Sequence, residues 1–168
     1  EFVNTNEDIS FYQCNINSSP GMSSSSYAGI YFYNSSSSIH TLKNVRIVKN
    51  NISGGYANIY FYYPGASQTT MLEMSVTIDS NMMTNAYYTG LYSYYYSKYK
   101  SFSYNTIITS ATSSTQYGMY LYYYNTFEDG VIGNRIRLQT TSSGYGMYTY
   151  YINYSAAYGA KGNALIVN

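Results

Sequence analysis

The chain has 168 residues, a formal charge of +1, 27 tyrosines, no tryptophan and only 9% charged residues. Its length is that of one domain, 1–168. Abundant aromatic residues exclude a disordered chain, which combines few aromatics with high net charge, and the lack of any long basic or acidic run excludes a nucleic-acid partner. No apolar run reaches the roughly 18 residues of a spanning helix and no signal peptide is seen, so no membrane span is expected.

Residues 1–26 read as a partial coil holding the stretch CNINS around Ile16. Its Cys14 is the single cysteine, which excludes an internal disulfide framework. Such a residue is expected as a small buried apolar group, with a bridge between copies as the alternative. The segment YAGIYFYN (Tyr27–Asn34) then opens a series repeated as YANIYFYY (Tyr56–Tyr63), YTGLYSYY (Tyr88–Tyr95), YGMYLYYYN (Tyr117–Asn125) and YGMYTYYIN (Tyr145–Asn153). The first aliphatic positions, Ile30, Ile59, Leu91, Met119 and Met147, are spaced by 29, 32, 28 and 28 residues. A second series, Ile16, Val45, Val76, Ile107, Ile136 and Leu165, is spaced by 29, 31, 31, 29 and 29. Two series of nearly one period mark a repeat protein.

Period-two alternation rich in tyrosine, isoleucine and valine marks strands, and no segment sustains a helical apolar pattern. The joining stretches, such as SSSS (Ser35–Ser38) and SATSST (Ser110–Thr115), are polar. A unit of about 30 residues with two clear strands is one turn of a β-helix, whereas a propeller blade needs about 40 residues and four strands. The fold class expected is all-β: a parallel β-solenoid of about five coils of 28–32 residues, starting near 27, 56, 88, 117 and 145, with no substantial helix.

Alternation assigns faces. Ile30, Ile59, Leu91, Met119 and Met147 point inward, followed by Phe32, Phe61, Ser93, Leu121 and Thr149. Two outward columns are tyrosine throughout: Tyr31, Tyr60, Tyr92, Tyr120, Tyr148, and Tyr33, Tyr62, Tyr94, Tyr122, Tyr150. Coils about 4.8 Å apart would stack these rings into ladders with their hydroxyls toward water, a candidate contact surface. The second strand buries Val45 with Ile47, Val76 with Ile78, Ile136 with Leu138 and Leu165 with Val167. Asn105, Asn134 and Asn163 stand two residues before its first core position in the last three coils, an arrangement that ties coil to coil through side-chain amides.

In period, alternation and asparagine column the chain resembles the right-handed parallel β-helix proteins, the pectate-lyase-like group that includes extracellular surface proteins. The resemblance covers almost the whole chain and implies a right-handed solenoid and an extracellular or cell-surface location. Catalytic members of that group use clustered acids, often with calcium. Here Glu7/Asp8 and Glu128/Asp129 fall in similar loops four coils apart, about 19 Å, and Glu73 and Asp79 flank one strand. A glycosidase pair lies within about 5–9.5 Å. His40 is the only histidine and sits in a polar loop. No metal spacing or nucleotide fingerprint occurs, so no catalysis, cofactor or metal is expected.

Four sequons, at Asn17, Asn34, Asn51 and Asn153, are candidate glycosylation sites. Glu1–Asn4 falls in the phase of Tyr150–Asn153 and the chain stops after NALIVN, so uncapped ends are expected to pair with another copy or with further residues. These features lead to a structural subunit of an extracellular filament, sheath or surface layer that self-assembles through its ends and tyrosine faces. The alternative is a glycan-binding or adhesive module of a larger surface protein. Less favoured is a non-catalytic fragment of a polysaccharide-degrading β-helix.

Overall fold

The computed structural model describes residues 2–3, 6–33, 42–64, 73–109, 115–150 and 164–167. In chain order the first coil holds β1 (Phe2–Val3), β2 (Asn6–Glu7), β3 (Ser10–Tyr12) and β4 (Asn15–Asn17), and the second β5 (Ala28–Tyr33), β6 (Leu42–Lys43), β7 (Val45–Val48) and β8 (Asn51–Ser53). The third holds β9 (Ala57–Tyr62), β10 (Val76–Asp79) and β11 (Met82–Thr84); the fourth holds β12 (Thr89–Tyr94), β13 (Ser97–Ser103) and β14 (Thr106–Thr109). Then come β15 (Thr115–Tyr122), β16 (Asn125–Phe127), β17 (Val131–Ile132) and β18 (Arg135–Leu138), and finally β19 (Ser143–Tyr150) and β20 (Ala164–Val167).

Three parallel sheets form the walls. The first is β1-β5-β9-β12-β15-β19. The second is β3-β7-β10-β13-β16, with β17 also on β13, and the third is β4-β8-β11-β14-β18-β20. A short pair, β2 and β6, lies beside them. Among the described residues there is no helix, as expected for an all-β solenoid. Four successive coils (28–53, 57–84, 89–109 and 115–138) run through all three sheets with a first-sheet strand of at least six residues. The repeat count of about five is thereby corrected to about four full turns.

Each full coil thus contributes to three main sheets where the sequence marks two strands, and the second series mixes two of those sheets. Val45 pairs with Val76 in the second sheet, whereas Ile16 pairs with Ile52, Ile52 with Met83, Met83 with Ile107, and Ile107 with Ile136 in the third. The cause is a change of core chemistry along the second sheet. Its first coils fill the interior with Val45, Ile47, Val76 and Ile78, and its later coils use Tyr99, Phe102, Phe127 and Val131. Aliphatic markers therefore jump from one sheet to the other.

The interior is a continuous apolar column. Phe32 stacks on Phe61 with centroids 5.0 Å apart, Tyr99 meets the edge of Phe61 at 5.7 Å, and Phe127 stacks on Tyr99 at 4.9 Å. Ser93 occupies the inward position next to Phe61 and leaves the space that the larger Tyr99 fills. The Tyr99 hydroxyl donates to Ser93 Oγ at 2.7 Å, and Ser93 passes a hydrogen bond to Asn125 Oδ1 at 2.6 Å, so the buried phenol is satisfied. Glycine brings the first sheet against the third. A Cβ on Gly90 would stand 2.7 Å from Ile107 Cγ2, and one on Gly118 2.8 Å from Ile136 Cδ1. Met147 and Thr149, read as inward, are exposed because β19 is the outermost described strand of its sheet.

A buried amide ladder locks the corner between the second and third sheets. The residue before it takes the left-handed conformation, at Lys49, Ser80, Tyr104 and Gly133, and an asparagine follows each. Asn81 Oδ1 accepts from the Asn50 N–H at 2.9 Å and from Asn50 Nδ2 at 3.0 Å, while Asn81 Nδ2 donates to the Ile47 carbonyl at 2.7 Å. Asn105 makes the same three bonds to Asn81 and Ile78, and Asn134 makes them to Asn105 and Phe102. Asn105 and Asn134 were expected in this column; Asn50 and Asn81 join it, and Asn163 lies outside the described residues. In the first coil its place is taken by Cys14, whose N–H donates to Asn50 Oδ1 at 2.9 Å. That corner position leaves the Cys14 side chain exposed, against the expectation of a buried one.

Replacing Asn81 with alanine strands the buried Ile47 carbonyl and the Asn50 N–H, each left without a partner. The expected loss is about 2–3 kcal/mol, from the cost of buried unpaired groups, read from the urea midpoint; a change within experimental error would show that the ladder does not hold the coils.

Candidate functional site

The outer face of the first sheet carries the tyrosines. The strands β9, β12, β15 and β19 pair in register, setting Tyr60 beside Tyr92, Tyr92 beside Tyr120, and Tyr120 beside Tyr148. Their centroids are 4.5, 4.8 and 5.0 Å apart with interplanar angles of 3°, 14° and 19°. Tyr31 breaks the pattern, meeting Tyr60 edge-on at 82°. The second column is regular throughout: Tyr33, Tyr62, Tyr94, Tyr122 and Tyr150 are 5.4, 5.3, 5.0 and 5.0 Å apart and within 10° of parallel. Each offset pair is worth about 0.5–1.5 kcal/mol beyond the area it buries.

Two further columns flank these, and face assignment by alternation misses both. Tyr56, Tyr88, Tyr117 and Tyr145 stack on one side at 4.9, 4.9 and 5.2 Å, with the middle pair tilted by 54°. Their signal is their position at the head of the last four repeat segments. On the other side Tyr63, Tyr95 and Tyr123 stack at 4.7 Å and 4.7 Å, followed by Tyr96 on Tyr124 at 5.2 Å. These corner residues lie beyond the strands, where period two assigns no face.

The corner column is held against backbone preference. Tyr63, Tyr95 and Tyr123 have φ of 50°, 65° and 53°, and Tyr96 and Tyr124 have 34° and 48°. A non-glycine residue there costs about 1–2 kcal/mol, and a bulky side chain in that region marks a special position. Two stacking contacts on Tyr95 offset a strain of that size.

Density of rings changes what these groups are. Tyr60, expected to face water, is only 5% exposed because Tyr31, Tyr56, Tyr62 and Tyr92 surround it. Burial pushes the Tyr56 phenol up from 10.0 to about 12, helped by repulsion from neighbouring phenolates. The Tyr60, Tyr88 and Tyr92 phenols are raised further, again chiefly by burial. The face is uncharged at neutral pH, since the first-sheet strands hold no Asp, Glu, Lys or Arg.

Charge collects elsewhere and is spent on the fold. Lys43 pairs with Glu73 at 3.3 Å and Glu7 at 3.6 Å, and Lys98 pairs with Glu128 at 2.7 Å. Asp79 accepts from Ser101 Oγ and the Ser103 N–H, and Asp8 accepts from Asn44 Nδ2 at 3.1 Å. A groove of about 590 Å³ lies over the second sheet between Asp8, Arg46, Thr77 and Lys100, with Asp8 its single acid. No group of three metal-ligating side chains occurs among the described residues, and no described helix is long and apolar enough to cross a membrane. Of the sequons, Asn17 and Asn51 are exposed on the outer face of the third sheet, with Asn51 Nδ2 donating to Asn15 Oδ1 at 2.9 Å. Asn34 and Asn153, like His40, lie outside the described residues.

Comparison with protein-family models, curated proteins and solved structures found no match to this chain.

The folded chain keeps its buried phenol protons while the unfolded chain starts to release them near 10.0. Their contribution to stability is whole below pH 10 and falls as pH rises through about 12, the Tyr56 value. A titration of tyrosinate absorbance followed with circular dichroism should show the buried phenols ionising only as the fold is lost. One single step near pH 10 with the fold intact would contradict this.

Proposed function

We propose that the protein is a structural subunit of an extracellular filament, sheath or surface layer, and that its copies associate through the tyrosine face of the first sheet. The observation that carries this reading is the set of four aligned ring columns on a face without a single charged residue. Two copies have the same spacing between rings, so the ridges of one fit the furrows of the other along the whole ladder. A formal charge of +1 offers little repulsion between copies. The exposed sequons Asn17 and Asn51 support an extracellular setting, and glycans there would leave the tyrosine face open.

A glycan-binding or adhesive module is the second reading, and ring orientation weighs against its simplest form. Stacked rings 4.5–5.4 Å apart cover each other's faces and turn edges and hydroxyls outward. Sugars stack on exposed ring faces, so a glycan here would be held mainly by hydrogen bonds to the phenols.

Sedimentation across a range of concentrations, with electron microscopy of the concentrated sample, tests the first reading. Ordered polymers are expected for the native chain, and Tyr94→Ser with Tyr122→Ser should shift assembly to higher concentration with little dependence on salt. A native chain that stays monomeric and featureless at every concentration would remove the proposal; saturable glycan binding by that monomer would favour the second reading.

A further inference from the structure

The corner column of tyrosines has a geometry suited to chemistry as well as to packing. Tyr95 and Tyr123 lie with ring centroids 4.7 Å apart and planes 5° from parallel, and Tyr63 lies over the other side of Tyr95 at 4.7 Å and 8°. Nearly parallel rings at that separation keep neighbouring phenols in face-to-face contact. The Tyr63 and Tyr95 phenols also interact through their hydroxyls. These rings sit at the rim of the face, half-buried, where an oxidant can reach them, whereas Tyr60 in the middle of the face is covered. Their left-handed backbone would be relieved by glycine, yet each corner carries a phenol.

We infer that Tyr95 and Tyr123 form an oxidative cross-linking site, at which a peroxide-dependent one-electron oxidant joins successive coils through a dityrosine bond. Each phenol gives up one electron to the oxidant and its hydroxyl proton to solvent, leaving two neutral phenoxyl radicals. The radicals combine in a carbon–carbon bond between ortho positions, and the two ring hydrogens there move through solvent to the oxygens, restoring both phenols. The balance is loss of two electrons and two protons, and one hydrogen peroxide takes them up to become two waters. Neutral radicals form from neutral phenols, so a face that disfavours phenolate does not oppose the step. The bond closes a link across the coil-to-coil interface and adds a covalent tie to the noncovalent ladder. It lies within one chain and does not depend on association of copies.

The test treats dilute monomeric protein with hydrogen peroxide and a haem peroxidase, then digests it with trypsin. Cleavage after Lys98 and Lys100 places Tyr95 and Tyr123 on separate peptides, which only a cross-link can hold together. Dityrosine fluorescence should appear while the chain still migrates as a monomer in denaturing gels, and tandem mass spectrometry should find the two peptides joined, lighter by two hydrogens, with the bond at Tyr95 and Tyr123. Tyr95→Phe keeps the ring and its stacking but has no phenol to oxidise, so most of the joined species should disappear with circular dichroism unchanged. The proposal is overturned if Tyr95→Phe leaves the joined yield as it was, if the bond maps to other tyrosines, if coupling occurs only between chains, or if no dityrosine forms.

Discussion

The structure depends on coil-to-coil register, and the buried asparagine amides are what fix it at the corner between the second and third sheets. In Asn81, Asn105 and Asn134 both ends of the amide address the preceding coil, the oxygen taking two donors and the nitrogen serving a strand carbonyl. A backbone ladder alone tolerates slippage, because one parallel register forms much the same hydrogen bonds as the next. A one-residue slip would break these amide contacts and send every inward side chain outward. The apolar column and the amides therefore select the same register, and in that register the tyrosines fall into columns. The outer face is a consequence of the inner lock.

Once register is set, tyrosine has two jobs that conflict in a smaller residue. Its ring must cover the strand beneath and its neighbours, which is why Tyr60 and Tyr117 are nearly buried although they lie on the outside of the first sheet. Its hydroxyl must keep the surface wettable without charge. Phenylalanine would meet the first demand and leave an apolar patch, while serine would meet only the second. At the corners the same balance reaches the backbone, where stacking on Tyr95 from both sides compensates a conformation that glycine would adopt freely.

The first sheet was legible in the sequence because its strands keep strict alternation and its outward positions never change residue. The second sheet was not, because its interior switches from Val45 and Val76 to Tyr99 and Phe127, and a search on aliphatic markers follows chemistry rather than position. That single misassignment also concealed half of the amide ladder. An asparagine two residues before the first core position of the third sheet holds for Asn50 before Ile52 and Asn81 before Met83 as it does for Asn105 before Ile107 and Asn134 before Ile136. With Val45 and Val76 in the place of Ile52 and Met83, the rule had nothing to count from. The flanking tyrosine columns were hidden for another reason: corner residues obey no face rule, and only stacked coordinates show that Tyr63, Tyr95 and Tyr123 share one.

Segregation of charge gives the molecule two kinds of surface. Ion pairs such as Lys43 with Glu73 and Lys98 with Glu128 lie on the side of the second sheet, and Arg135 and Arg137 project from the third. The first sheet has none of these. Interactions of its face rest on ring contacts and phenol hydrogen bonds, which ionic strength screens little, and burial of the phenols extends that neutrality upward in pH. A surface so built cannot choose partners by charge. What it can discriminate is spacing, because rings set at the pitch of the coils fit only a surface with the same pitch, and another copy of this solenoid has that pitch by construction.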